Sequence, residues 1–206
     1  MKVAVCLFAL VALVASAPQP RKDFHEHFQD FLDLIMQETG DQIEELMTAY
    51  REFDDFNNAL SYMQTAGFKD IVQEMESLPE FQAVVGFLEA DNIDITFFLD
   101  ILDKVVNAIP SARRTRQASG TSLTSFIQDS IALFPKEKLD ALFQQKKEED
   151  EEFKSAIDNL FSDEWRATFS ALLDTPQFQQ EADTLLENGI DLRVFADEIL
   201  AVFGQN

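Results

Sequence analysis

The chain has 206 residues, with 38 acidic against 16 basic side chains and a formal net charge of −22 at pH 7. So acidic a surface repels phosphate backbones and offers anionic bilayers no basic patch, which excludes nucleic acid as a partner and excludes electrostatic membrane docking. Intrinsic disorder is excluded as well, because 46% apolar residues and 20 Phe supply ample surface to bury.

Met1 to Ala17 has the form of a secretory signal: Lys2 precedes an apolar run from Val3 to Val14, and Ala15-Ser16-Ala17 is an A-x-A cleavage site. The apolar run is shorter than the ~20 residues of a spanning helix, so a secreted, extracellular product is expected. Cys6 lies inside this segment and is the sole cysteine. The processed chain therefore has no disulfide and rests on apolar burial, an uncommon choice for an exported protein. Residues 18–23 form a short N-terminal extension.

Beyond it, helical periodicity dominates and no strand pattern stands out. Phe24, Phe28, Phe31 and Ile35 recur at helical spacing. Helices are predicted over 24–37, 41–51, 53–66, 68–76, 78–89 and 95–109, and then over 122–133, 136–147, 149–161, 163–173, 175–187 and 192–203. Residues 110–120 read as a linker carrying the one basic cluster, Arg113-Arg114-Thr115-Arg116. An exposed segment rich in arginine is a candidate site for a trypsin-like protease at Arg113, Arg114 or Arg116, or simply a solvated linker.

The two helical sets are copies. Leu78-Pro79-Glu80-Phe81-Gln82 returns as Thr175-Pro176-Gln177-Phe178-Gln179, and Ile93-Asp94-Ile95 as Ile190-Asp191-Leu192, both displaced by 97 positions (178 − 81 and 191 − 94). The same register pairs Phe56 with Phe153, Phe68 with Trp165, Leu88 with Leu185 and Phe98 with Phe195, without a gap. The chain thus divides into repeat 1 (24–109) and repeat 2 (121–206). Within the shared motifs, Ser77 with Glu80 suggests a capping box restated by Asp174 and Gln177. Asp94 and Asp191 suggest N-caps flanked by the staples Ile93–Phe98 and Ile190–Phe195. Gly189 reads as a helix terminator of left-handed geometry.

Catalytic parts are scarce. His25-Glu26-His27 places two imidazoles on different helix faces, H-E-x-x-H is absent, and without cysteine or further histidine no nucleophilic triad can be assembled. The His pair is taken as a surface feature, Lys146 to Glu152 as a solvated helix junction, and the protein as a non-enzyme with no metal and no cofactor. The many Phe residues allow two readings: a solid aromatic core, or apolar helix faces that wall a cavity.

The two units of about 97 residues resemble the insect allergen-related repeat family, which includes a cockroach gut allergen and secreted midgut microvillar proteins of mosquitoes. Each unit carries a Pro-x-Phe-Gln helix start and an Ile-Asp-Ile/Leu segment before a Phe-rich final helix. The resemblance implies an all-α fold in which two repeats of about six short amphipathic helices form one hollow capsule around fatty acids or phospholipids. Its cavity wall would include Phe56, Val72, Phe81, Leu88, Phe98 and Leu102, with Phe153, Phe169, Phe178, Leu185, Phe195 and Ile199 from the second repeat. The implied role is lipid binding and transfer in insect gut digestion, with transient membrane contact and lipid exchange able to lyse cells or enveloped viruses. Detoxification of the nitrile-specifier type and a protective role on gut microvilli are the alternatives.

Overall fold

The stripe that begins at Phe24 runs further than the sequence suggests. In the computed structural model, which describes residues 24–93, 118–194 and 201–202, α1 is one unbroken helix, Phe24–Tyr50. The break expected between residues 37 and 41 does not occur. Gly40 is buried within α1 and costs a helix interior only ~1 kcal/mol relative to Ala, which a helix with one face buried from Phe24 to Tyr50 absorbs. The apolar stripe Phe28, Phe31, Ile35, Ile43 and Tyr50 is fully covered.

After α1 come α2 (Asp54–Tyr62), α3 (Ala66–Glu76) and α4 (Pro79–Ala90). The second half gives α5 (Leu123–Leu133), α6 (Lys136–Glu149), α7 (Glu151–Leu160), α8 (Asp163–Leu173) and α9 (Pro176–Glu187). The fold is all-α, with no strand among the described residues. The bounds of α3 and α4, moved by 97, land on those of α8 and α9. In the second half α5 and α6 together take the place that α1 has in the first. They are separate helices because Pro135, which stands between them, has no N–H and its ring excludes an uninterrupted helix.

Duplicated polar residues punctuate the helices. Thr65 and Ser162, equivalent by the 97-residue shift, cap α3 and α8 by accepting from the amides of Phe68 and Trp165 at 3.2 and 3.1 Å. The capping boxes expected at Ser77 and Asp174 do not form. Those residues end α3 and α8, while the N-cap positions of α4 and α9 are Leu78 and Thr175, neither giving a side-chain cap. The duplicated glutamines take another part. Gln82 donates to the carbonyl of Glu76 at 2.8 Å, and Gln179 donates to that of Leu173 at 2.9 Å, each satisfying an orphan acceptor at the end of the preceding helix. At the ends of α4 and α9, Asn92 (φ 58°) and Gly189 (φ 82°) adopt the left-handed conformation. The amides of Ile93 and Ile190 then reach back to Leu88 and Leu185 at 3.0 and 2.9 Å, a Schellman closure with a buried apolar contact beneath it.

Packing joins the halves rather than separating them. α1 lies on α5 and α6, α2 on α5, α3 on α9, and the most extensive contact is α4 on α8. Two ring clusters fill these seams: Tyr50, Phe56 and Phe126 meet with centroids 5.3 to 5.7 Å apart, and Phe153 is 5.7 and 6.3 Å from Phe24 and Phe31. Such tilted and offset pairs add to area burial. Polar contacts cross the same seams. The Tyr50 hydroxyl donates to Asp129 at 2.7 Å, and Asn159 donates to Asp91 at 2.8 Å.

The histidine pair is not a surface feature. His25 is buried, and His27 lies between Lys146 and Asp150, with Nδ1 3.2 Å from the Lys146 ammonium and Nε2 3.0 Å from the Asp150 carboxylate. An ammonium can only donate, so Nδ1 accepts and the ring proton sits on Nε2, facing Asp150. Asp150 also caps α7 through the amides of Glu152 and Phe153, both at 2.9 Å. The Phe153 amide foremost, and then His27, hold its carboxyl below the usual range. The junction read from sequence as merely solvated therefore ties α1 to α6 and α7.

Candidate functional site: an apolar cavity among α4, α8 and α9

Pro79 and Pro176 start α4 and α9 at a position where a missing N–H costs nothing, since first-turn donors have no intrahelical acceptor. Two residues later, Phe81 and Phe178 turn into the space between these helices and α8. A cavity of about 430 Å³ lies there. Val84 from α4, Phe169 and Leu172 from α8, and Ala182 from α9 complete its apolar wall. Leu173 and Leu186 line it while remaining 43% and 46% exposed, so the cavity opens to solvent beside them. Trp165 stacks on Phe169 with centroids 5.4 Å apart and lies 5.3 Å from Phe87, backing the wall from behind.

The polar lining consists of Gln179, Asp183, Asp191 and Arg193. Gln179 is committed to the Leu173 carbonyl. Asp191 caps the turn beginning at Leu192 by accepting from the Arg193 amide at 3.1 Å, and the Arg193 guanidinium forks onto the same carboxylate at 2.9 and 2.8 Å. That pairing, against the opposing effect of partial burial, holds the Asp191 carboxyl below its ordinary range. The fork leaves three guanidinium N–H donors unspent.

The twelve residues proposed for a cavity wall fall into three groups. Phe81, Phe169 and Phe178 line this cavity. Phe56, Val72, Leu88, Phe153 and Leu185 belong to the buried core, where Phe56 and Phe153 are occupied by ring contacts. Phe98, Leu102, Phe195 and Ile199 lie outside the described residues, as do the signal segment, the Arg113-Arg114-Arg116 cluster and the staples to Phe98 and Phe195. Sequence reasoning missed the other apolar wall residues, Val84, Leu172, Leu173, Ala182, Leu186 and Leu192. Val84 and Ala182 sit one turn from the duplicated Phe on their own helices, a spacing that could have pointed to them.

Chemically the site is an apolar enclosure with one guanidinium and two carboxylates on its wall. Among the described residues no three His, Cys, Asp or Glu side chains converge as a metal site, and no helix is long and apolar enough to cross a membrane.

Residues 23–196 match the family described as insect allergen related repeat, nitrile-specifier detoxification. The chain belongs to the insect allergen-related repeat family. It is also similar to Protein G12 of Anopheles gambiae, with 22% identity over 209 residues that span 99% of this chain and 97% of that one. The match covers all the helices described above, so the elements that wall the cavity belong to the family's matched region.

Proposed function

We propose that this member of the insect allergen-related repeat family is a secreted lipid carrier that holds the acyl chain of a fatty acid or phospholipid between α4, α8 and α9. The observation that carries the reading is the cavity itself. Its volume of about 430 Å³ falls within the ~300–1,000 Å³ of small-molecule sites, and its wall is built mainly from Phe, Leu, Val and Ala. Because the cavity opens to solvent, an acyl chain seated in it would take apolar lining out of water and add dispersion contacts. The unspent donors of Arg193 suit a carboxylate or phosphate oxygen at the open side. Lipid exchange with a bilayer, and any membrane damage, would follow from a carrier that both loads and releases. A role in gut digestion rests on the resemblance to midgut proteins.

A ligand that binds only the folded state raises stability by mass action, by ~2.7 kcal/mol at a hundred times its Kd. Protein stripped of lipid should therefore melt lower than protein reloaded with oleate or a phosphatidylcholine. Equal melting temperatures would reject the proposal. Filling the wall with Ala182→Phe should reduce loading while preserving helical content; undiminished loading would place the lipid elsewhere. Detoxification is separated from carriage by a turnover assay on plant-defence substrates, which the carrier reading expects to be negative.

A further inference from the structure

The cavity wall is graded from dry to wet. Phe81, Val84 and Leu172 are buried, whereas Leu173 and Leu186 are partly exposed and Arg193 keeps 80% of its side chain in solvent. A lipid carried here therefore lies with its tail among the buried residues and its head beside Arg193. Arg193 is the one cation among the described lining residues. It is also peculiar to the second repeat: the 97-residue shift keeps Asp191 as Asp94, but sets Thr96 against Arg193 and Gly86 against Asp183. The capping role of Asp191 needs only the backbone amide of residue 193 and not an arginine side chain.

The guanidinium is held in a defined orientation. Its Nε–H and one Nη2–H meet the two oxygens of Asp191 at 2.9 and 2.8 Å, which spends the side-on fork of the planar group. Of the remaining donors, one on Nη1 and the second on Nη2 form a parallel pair at the far end. Such a pair fits a carboxylate, whose two oxygens accept it bidentately. We propose that Arg193, positioned by Asp191, selects the head group of the lipid: its free end-on fork favours a singly charged, planar carboxylate over an ester or a phosphate. The inference rests on the carrier reading of this cavity and adds the residue that sets its preference.

Charge sharpens the preference. Asp191 already balances the guanidinium, and Asp183 adds a second carboxylate to the same wall, so the rim offers an anion a fork and not a net positive field. A fatty carboxylate gains two charge-assisted hydrogen bonds against the repulsion of Asp183. A phosphate monoester, at about −1.5 to −2 near neutral pH, meets that repulsion more strongly. An ester carries no charge and makes no charge-assisted pair. Because Arg193 is largely exposed, water and salt screen the contact, which sets the selectivity at about three- to fivefold and not at orders of magnitude.

Equilibrium binding of radiolabelled oleate, methyl oleate and oleoyl lysophosphatidate to the full processed chain, stripped of lipid, tests this at low salt and neutral pH. The wild type should bind oleate about threefold or more tightly than either of the others. Arg193→Gln should lower oleate affinity to that of methyl oleate while leaving methyl oleate binding unchanged. Arg193→Lys keeps the charge without the fork and should lose most of the preference as well. Both variants alter an exposed side chain, so their helical circular dichroism should match the wild type. A wild type that binds the ester or the phosphate as tightly as oleate overturns the selection. So does an Arg193→Gln or Arg193→Lys protein that retains the full preference, and in each of these cases lipid carriage itself stands. A wild type that binds none of the three lipids removes the carrier reading and this inference with it.

Discussion

At the scale of single residues, the duplicated polar positions make the protein's clearest structural statements. Gln82 and Gln179 each satisfy a helix-end carbonyl that would otherwise meet only water. Replacing either with Ala should cost roughly 0.5–1.5 kcal/mol in denaturant unfolding. Gly189 holds φ at 82°, and an added Cβ would also press to 3.3 Å from the Cβ of Ala59. Gly189→Ala should therefore cost about 1–2 kcal/mol from the backbone alone. Tyr50 offers a pH-resolved case. Burial alone would raise the Asp129 carboxyl, but the Tyr50 hydroxyl and the Ser119 amide outweigh it and hold the value low. A carboxyl held low stabilises the fold above its unfolded range, and that contribution is lost as pH falls through the folded value. Tyr50→Phe should thus cost about 1.5–3 kcal/mol near neutrality. The gap from wild type should narrow on acidification, and a gap that widened would contradict the assignment.

At the scale of elements, the contrast between α1 and the α5–α6 pair shows how one residue divides a helix. Pro135 splits the second copy, whereas α1 holds no proline and stays continuous. Glu38→Pro should break α1 and cost roughly 3 kcal/mol or more, with a loss of helical circular dichroism. This scale also shows what the sequence makes legible. The Pro-x-Phe-Gln starts, the apolar stripes and Gly189 placed α8 and α9 almost to the residue, because proline, helical spacing and left-handed glycine act locally. The break expected between residues 37 and 41 does not occur because Gly40 costs a helix little and the burial that overrides it comes from elsewhere in the fold. Ser77 misled because a serine beside a helix junction can serve either neighbour, and here it ends α3. The His27–Lys146–Asp150 contact spans more than a hundred residues of chain, so no local pattern encodes it.

At the scale of the whole molecule, the halves are packed into each other: α1 on α5 and α6, α3 on α9, α4 on α8. Neither half buries its apolar faces alone. Unfolding should therefore be a single cooperative transition with matching calorimetric and van't Hoff enthalpies, and residues 24–109 expressed separately should lack cooperative melting. Two separate transitions would show independent halves. The cavity belongs to this scale too, since α4 comes from the first copy and α8 and α9 from the second. That explains why its wall was only partly readable. Phe81 and Phe178 are marked by the repeat, whereas whether Phe56 or Phe169 faces a core or a cavity depends on how the copies meet. The central claim is that acyl lipid fills this space. The measurement that tests it most directly is organic-solvent extraction of the purified native protein followed by mass spectrometry of the released lipids against a protein standard. The account expects fatty acid or phospholipid in at least equimolar amount; extracts with only trace, substoichiometric lipid would contradict it.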